Sequence, residues 1–520
     1  MLATTCRWLR FAVLLMLYQQ QHAISVQAQD PALALEETVV KLVEQVEPSI
    51  VSIARVKPAP RDPDFQRLPP NERIRREQES PPADSEHPDF QPNEFGAGII
   101  IAPPDNDERL VLTNYHVVRG GPVFPSSSTD DNTSLDIHFA DRRSCKASII
   151  AADPRSDLAV LHLHLKEADI RPTDLKPLDW STSPSAPIRK GMFVVMLGNP
   201  HALARDGSAS VSWGMVSNIA RRPLPRAEDD KSAAILYRLG NLLQIDGRLN
   251  LGTSGGPVLG LKGDLIGLTT SLAVVDGYDK SAGFAIPFDD HTRRIVKSLM
   301  AGHEVEYGML GISRPRDLLR RELRDRSIVG VTQASAALAP EISQGSPAER
   351  AGLRRGDVIL RVGNETILSH YDLMRVVGLH APESEVELLI CHTSQHEPST
   401  IKVRLGKWPV QDDEGIIETT PRFTPWRGLS VDYPTGRGKY LKEERFFQTY
   451  RHAVVVTKIA DDSAAHSAGL QPGNFISHVN KTAVQTPAEF HAAIKSATGP
   501  VTLRLYAERM NEGRTVIVRE

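Results

Sequence analysis

Between residues 95 and 287 the apolar side chains come in short runs, each closed within a few residues by Gly, Pro or Asp, and nothing else in this 520-residue chain constrains its fold so tightly. The runs fall at Phe95 to Ile101, Arg109 to Leu112, Ser134 to Phe139, Leu158 to Leu165, Met192 to Leu197, Val211 to Ile219, Leu265 to Leu268 and Phe284 to Ile286. Many short strands at turn-bounded spacing predict an all-β sandwich or barrel. Upstream, Leu33 to Val46 carries apolar residues at helical spacing and Pro48 to Ile53 reads as a strand, so a short helix leads into the β domain. Residues 57–93 are dense in Pro, Arg, Glu and Asp without aliphatic periodicity; they cannot supply core and read as a disordered surface insertion.

Length allows about three domains, each large enough for its own core. Residues 1–28 stand apart: Arg7 and Arg10 precede the apolar run Phe11 to Tyr18, and Val26-Gln27-Ala28 fits a small-x-small cleavage site. This is the pattern of a secretory signal peptide, and the run is short for a membrane anchor. Its removal takes two basic residues from 61 and none of the 64 acidic ones, leaving a net charge of about −5. That balance gives no footprint for nucleic acid. Cys6 leaves with the signal, and Cys145 and Cys391 fall in different domains, so stability rests on packed cores rather than a disulfide framework. No CxxC, HExxH or GxxxxGK(S/T) is present, and no cofactor or metal is expected. His162 and His164 alternate with Leu161, Leu163 and Leu165, which reads as one face of a strand rather than a metal pair.

Chemistry concentrates in Leu251-Gly252-Thr253-Ser254-Gly255-Gly256-Pro257. Glycines on both sides of a serine let the backbone turn sharply and bring its amides close to a substrate carbonyl, as an acyl-transfer nucleophile requires. A Gly/Ser turn between strands is also an ordinary loop. Two further features bear on the choice: Thr113-Asn114-Tyr115-His116 sets a histidine after a strand, and Asp153 and Asp157 precede the strand Leu158-Ala159-Val160. Each alone is a common core histidine or turn-forming aspartate; all three at strand edges, in the order His, Asp, Ser, point to nucleophilic catalysis.

The C-terminal part contains a repeat. Ser346-Pro347-Ala348-Glu349, a capping box with Pro at its first helical position, leads through Gly352 into Gly356 to Val362, and the pattern returns 117 residues later at Ser463 to Gly469 and Gly473 to Val479. Each copy is followed by a capped amphipathic helix, starting near Ser369 and Thr486.

Together with Leu197-Gly198-Asn199-Pro200, Trp213-Gly214-Met215-Val216-Ser217 and Gly283-Phe284-Ala285-Ile286-Pro287, the His, Asp and Ser stretches resemble the HtrA/Deg serine proteases from about residue 34 to the C terminus. The resemblance implies a mainly β chain: a two-barrel chymotrypsin-like protease domain at 94–302, joined by 29–56, then α+β PDZ domains at 306–407 and 420–520. It implies Ser254 as nucleophile, His116 as general base and Asp157, rather than Asp153, as the residue orienting the imidazole. Backbone N–H groups of Gly252, Thr253 and Ser254 would line the oxyanion hole, and Leu268, Thr269, Thr270 and Ser271 would pair with an extended substrate. Met309, Leu310, Gly311 and Ile312 match a carboxylate-binding loop of the first PDZ module; Arg427 to Val431 matches it less well, and Lys481 stands where a glycine is expected.

Two departures bear on function. Thr253 replaces the usual Asn, and Arg248, six positions before the serine, replaces a small residue at the base of the specificity pocket. Turned inward, Arg248 would disfavour small aliphatic residues at the cleavage site; the cost of burying an unpaired guanidinium favours solvent. The function implied is ATP-independent endoproteolysis of unfolded or damaged proteins in the periplasm or cell envelope. Unfolded polypeptides and exposed C-terminal peptides would be the partners, the assembly a homotrimer or a multiple of trimers, with peripheral membrane association left open. The competing reading is a non-catalytic PDZ chaperone with a misaligned triad.

Overall fold

The computed structural model describes residues 30–56, 94–119, 133–184, 186–199, 207–221, 242–247, 249–250, 252–270, 283–410, 419–420, 422–436, 453–495, 497, 499–506 and 514–519, together with 69 and 72. The signal segment, nearly all of the 57–93 insertion, residues 121–132 and 222–231, Arg248 and Ser271 lie outside the described residues.

A helix, α1 (Pro31–Val46), begins at Asp30, whose carboxylate accepts the Ala32 amide, and its buried face carries Leu42 and Val46. It leads into β1 (Ile50–Val56), the first strand of a closed barrel with β2 (Glu94–Ile101), β3 (Leu110–Asn114), β4 (Ser134–Phe139), β5 (Ser144–Asp153) and β6 (Leu158–Leu163). A second closed barrel contains β7 (Phe193–Gly198), β8 (Ser210–Arg221), β9 (Leu242–Ile245), β10 (Pro257–Gly260), β11 (Leu265–Thr270) and β12 (Gly283–Pro287). The neighbour order is β1-β2-β3-β6-β5-β4 in the first and β7-β8-β9-β12-β11-β10 in the second. The two halves are thus one topology used twice, all antiparallel, with no open sheet edge.

Each barrel has its own apolar filling, Val51, Ile100, Val111 and Leu161 in one and Val194, Met196, Val258 and Ile266 in the other. A third cluster joins them: Ile99, Leu112 and Leu158 pack with Leu197, Leu259 and Leu268, and helix α2 (Asp290–Met300) adds Ile295, Val296 and Leu299. The seam between the barrels is therefore solid core, and the loops above it are fixed to both.

The chain continues into a sheet of order Arg316–Leu319, Ser335–Ala339, Asp357–Val362, Glu385–Cys391, Ser399–Arg404, with Glu365–Thr366 pairing beside the third strand, and helix α3 (His370–Gly378) against it. A second sheet repeats that order with Leu429–Asp432, Val454–Ile459, Phe475–Val479, Val501–Leu505 and Thr515–Val518, and carries helix α4 (Pro487–Lys495). Capping follows the sequence signatures: Ser369 Oγ accepts the Asp372 amide (3.1 Å), and Thr486 Oγ1 accepts the Glu489 amide (3.1 Å) while Glu489 returns the bond to the Thr486 amide (3.3 Å). Such a cap contributes about 1 kcal/mol. Cys145 and Cys391 are both free and buried, and burial pushes the Cys145 thiol up to about 12, which leaves it protonated and unreactive. Among the described residues no helix is long and apolar enough to cross a membrane.

Candidate active site

Strand β3 ends at Asn114, and the chain coils at once through Tyr115–Arg119. Three consecutive residues there converge on Asp157. Asn114 Nδ2 and the Tyr115 amide both donate to the Asp157 carbonyl at 3.0 Å, and the His116 amide donates to Asp157 Oδ1 at 3.0 Å. His116 Nδ1 lies 2.9 Å from both carboxylate oxygens. A carboxylate only accepts, so Nδ1 carries the proton and Nε2 of the neutral ring presents its lone pair. That nitrogen is buried and has no hydrogen-bond partner among the described residues.

Asp157 itself is 1% exposed and sits in the left-handed region (φ +56°), in the turn between β5 and β6. Aspartate is among the few side chains that tolerate this conformation. Thr270, the last residue of β11 and so part of the other barrel, donates its hydroxyl to Asp157 Oδ2 at 3.2 Å. Asp153, the alternative carboxylate, is committed elsewhere, to Arg155, Ser156 and Tyr307.

The serine loop is held from every side. The Ser254 carbonyl accepts the Ala97 amide of β2 at 2.8 Å, and the Gly255 amide donates to the Thr269 carbonyl at 3.0 Å. Gly252 (φ +93°) closes against the Asn199 carbonyl and the Phe95 ring, where any side chain would collide. Gly96 marks how close the barrels come: a Cβ there would meet the Val117 side chain at 2.6 Å, beside His116, and the Ser254 carbonyl at 3.1 Å. The described geometry thus gathers the His, Asp and Ser stretches at one seam, Ser254 being 2% exposed.

Several expected roles change. Both Thr253 donors turn back to the Asn250 carbonyl, the amide at 3.2 Å and Oγ1 at 2.8 Å, so the Thr253 N–H does not line an oxyanion hole. Leu268 and Thr269 do not form a free substrate-pairing edge. Leu268 pairs with Pro257 and Ile286, Thr269 and Thr270 pair with Ala285 and Phe284, and the Thr269 amide donates to the Gly256 carbonyl at 2.9 Å. Both sides of Leu268 and Thr269 are thus filled, Thr269 by the serine loop, whereas Thr270 is paired with Phe284 on one side. His162 lies on β6 and His164 directly after its end, bonded to Glu108 (3.0 Å) and Ser148 (3.1 Å), and among the described residues no cluster is set to hold a metal.

In the first module Met309 and Leu310 are buried, Gly311 has φ +83°, and the Leu310 carbonyl accepts the Ala348 amide at 2.9 Å. Ile312–Ser313 pairs with Glu341–Ile342. The second module repeats the turn: Gly428 has φ +82° and the Arg427 carbonyl accepts the Ala465 amide at 3.1 Å.

Comparison with known proteins agrees with this geometry. Residues 96–268 match the family model of the trypsin-like peptidase domain, and residues 340–391 that of the PDZ domain. A protein of Halomonas elongata is 28% identical over 467 residues, 87% of this chain and 87% of its own length, and one of Brucella suis is 28% identical over 411 residues, 77% and 68%. Both are named probable periplasmic serine endoprotease DegP-like. Among solved structures, an HtrA-type protease AlgW with tripeptide aligns at 21% identity with a TM-score of 0.47, over 72% of this chain and 98% of that one. The chain is a serine endopeptidase with a trypsin-like domain of two barrels. More particularly, a PDZ domain follows the protease, the relatives it resembles are named DegP-like serine endoproteases, and the non-catalytic chaperone reading gives way.

Proposed function

We propose that His116, Asp157 and Ser254 form the catalytic triad of an ATP-independent endopeptidase acting on unfolded or damaged polypeptides in the periplasm. Ser254 Oγ attacks the scissile carbonyl while His116 Nε2 takes its proton; the tetrahedral oxyanion is met by the Gly252 and Ser254 amides, and the imidazolium, stabilised by Asp157, returns the proton to the leaving amine. Water then releases the acyl group by the same route. The observation that carries this reading is the His116 ring, clamped through Nδ1 at 2.9 Å with Nε2 buried and open. A fluorophosphonate probe is expected to label Ser254 and to lose that label in His116→Ala; an unlabelled wild-type protein would overturn the reading. Export through a signal peptide cleaved near Ala28 accords with the periplasmic names of the relatives.

The first PDZ module takes a peptide's C-terminal carboxylate at Met309 to Ile312. Gly311 needs its positive φ, and a Cβ there would press on Ser346. Gly311→Val is therefore expected to weaken binding of a peptide with a free apolar C terminus at least tenfold, read by fluorescence anisotropy against the amidated peptide. The second module is a PDZ domain as well: its repeated strand order and the Gly428 turn support this. There Arg427 is spent internally, donating to the Val518 (2.8 Å) and Gly499 (2.9 Å) carbonyls, which favours packing over peptide capture.

Assembly as a homotrimer has its support on the second barrel. Val211, Trp213, Met215 and Ile219 lie exposed along β8, Trp213 at 52%, and Phe193 stacks on Trp213 at 5.5 Å. A contiguous apolar stripe of this kind marks an interface. Trp213→Glu is expected to yield monomer in sedimentation; an unchanged oligomer would exclude the stripe from the contact.

A further inference from the structure

Asp157 is held in a left-handed conformation by a turn whose supports come from far along the chain. The anchor of that turn is Asp153, a fully buried second carboxylate that has no part in the proton transfers. It accepts the Ser156 amide (3.2 Å), the Ser156 hydroxyl (2.9 Å), Arg155 Nε (2.8 Å) and the hydroxyl of Tyr307 (2.5 Å). Tyr307 lies at the start of the first PDZ module, directly after the segment that joins it to the protease domain, 154 residues away. Arg155 reaches the same segment: Nη2 donates to the Val305 carbonyl at 2.6 Å and the guanidinium lies 4.6 Å over the Tyr307 ring.

We propose that Tyr307 and Arg155 are positioning residues for the reaction: through Asp153 they fix the turn that presents Asp157 to His116, so that docking of the interdomain segment is a condition of catalytic alignment. The inference rests on the triad reading above. Burial, reinforced by the Asp153 carboxylate, pushes the Tyr307 phenol well above its ordinary value, so it stays a donor across the working pH range. The cluster then continues outward. Arg155 Nη2 is 3.7 Å from Glu304 Oε1, Glu304 is 3.1 Å from the buried Lys407 Nζ, and Lys407 meets both Asp432 oxygens at 3.0 Å. Lys407 ends the first module and Asp432 ends the first strand of the second, so all three parts of the chain meet behind the catalytic turn. Buried clusters of this kind break when one partner is removed, because the remaining charges are left unpaired.

Tyr307→Phe in the full-length chain removes one hydroxyl and keeps the ring over Arg155. Turnover of an unfolded casein substrate is expected to fall about tenfold in kcat with KM within about twofold, the size of a loosened orienting bond. With Asp157 less well aimed, the His116 imidazolium is less stabilised, so the acid limb of the kcat/KM profile moves to lower pH. The low-field proton of His116 Nδ1 in the NMR spectrum moves upfield. Ser156→Ala, which trims the same turn from within, moves these readouts in the same direction. A folded Tyr307→Phe protein with kcat, acid limb and Nδ1 proton all as in wild type overturns the proposal, whatever its melting temperature. If the wild type does not react with fluorophosphonate, the triad reading is what fails; the Nδ1 proton needs no turnover and still decides whether Tyr307 sets the turn.

Discussion

Ser254→Ala is expected to lower turnover of unfolded casein by about 10⁶, because losing the nucleophile of such a triad leaves only binding and oxyanion stabilisation. The neighbouring hydroxyls offer no substitute. Thr253 Oγ1 donates to the Asn250 carbonyl at 2.8 Å, Thr269 Oγ1 to the Thr253 and Gly256 carbonyls at 2.5 and 3.1 Å, and Thr270 Oγ1 to Asp157 at 3.2 Å. Each is turned into the scaffold. The substitution removes one oxygen from a loop held by backbone bonds, so the protein should melt where the wild type does. Initial rates on a fluorescein-labelled casein check this; residual cleavage within about a hundredfold of wild type would reassign the nucleophile.

Asp157→Asn is expected to cost about 10⁴ in kcat. Asparagine also tolerates φ near +56°, so the turn and its bonds to Asn114 and Tyr115 survive. What changes is the ring. An amide nitrogen facing His116 favours the tautomer with its proton on Nε2, where it can no longer accept from Ser254, and no charge remains to stabilise the imidazolium. The prediction separates the two aspartates cleanly, since Asp157 bonds to the ring and Asp153 does not. A loss below about tenfold would show that His116 is oriented by something other than Asp157.

The barrels were legible because strand length, turn residues and the Gly-rich stretches are local signals, and Gly252 sits where a side chain would strike the Asn199 carbonyl. His116 and the Asp153 to Asp157 stretch stand out at strand edges, and the family resemblance is what singles out Asp157. What the sequence hides is the use made of residues that look generic. Thr270 reads as one more strand threonine, yet it crosses between barrels to Asp157, and no local pattern marks a hydroxyl whose partner lies 113 residues back. Leu268 and Thr269 illustrate the related point that an edge is a property of the sheet: alternation places them in a strand without saying which neighbours fill its sides. Tyr307, Arg155 and Lys407 left no trace, since each is a single polar residue among linker or strand residues and acquires its role only when three domains close on one another.

The division of the site between the two barrels also sets an order of events. A chain that appears N terminus first builds β1 to β6, and with them the His116–Asp157 pair, before any nucleophile exists. Ser254 is seated only when the second barrel closes, and Thr270 reaches Asp157 only after that. Only with both barrels closed are His116, Asp157, Thr270 and the Ser254 loop brought together.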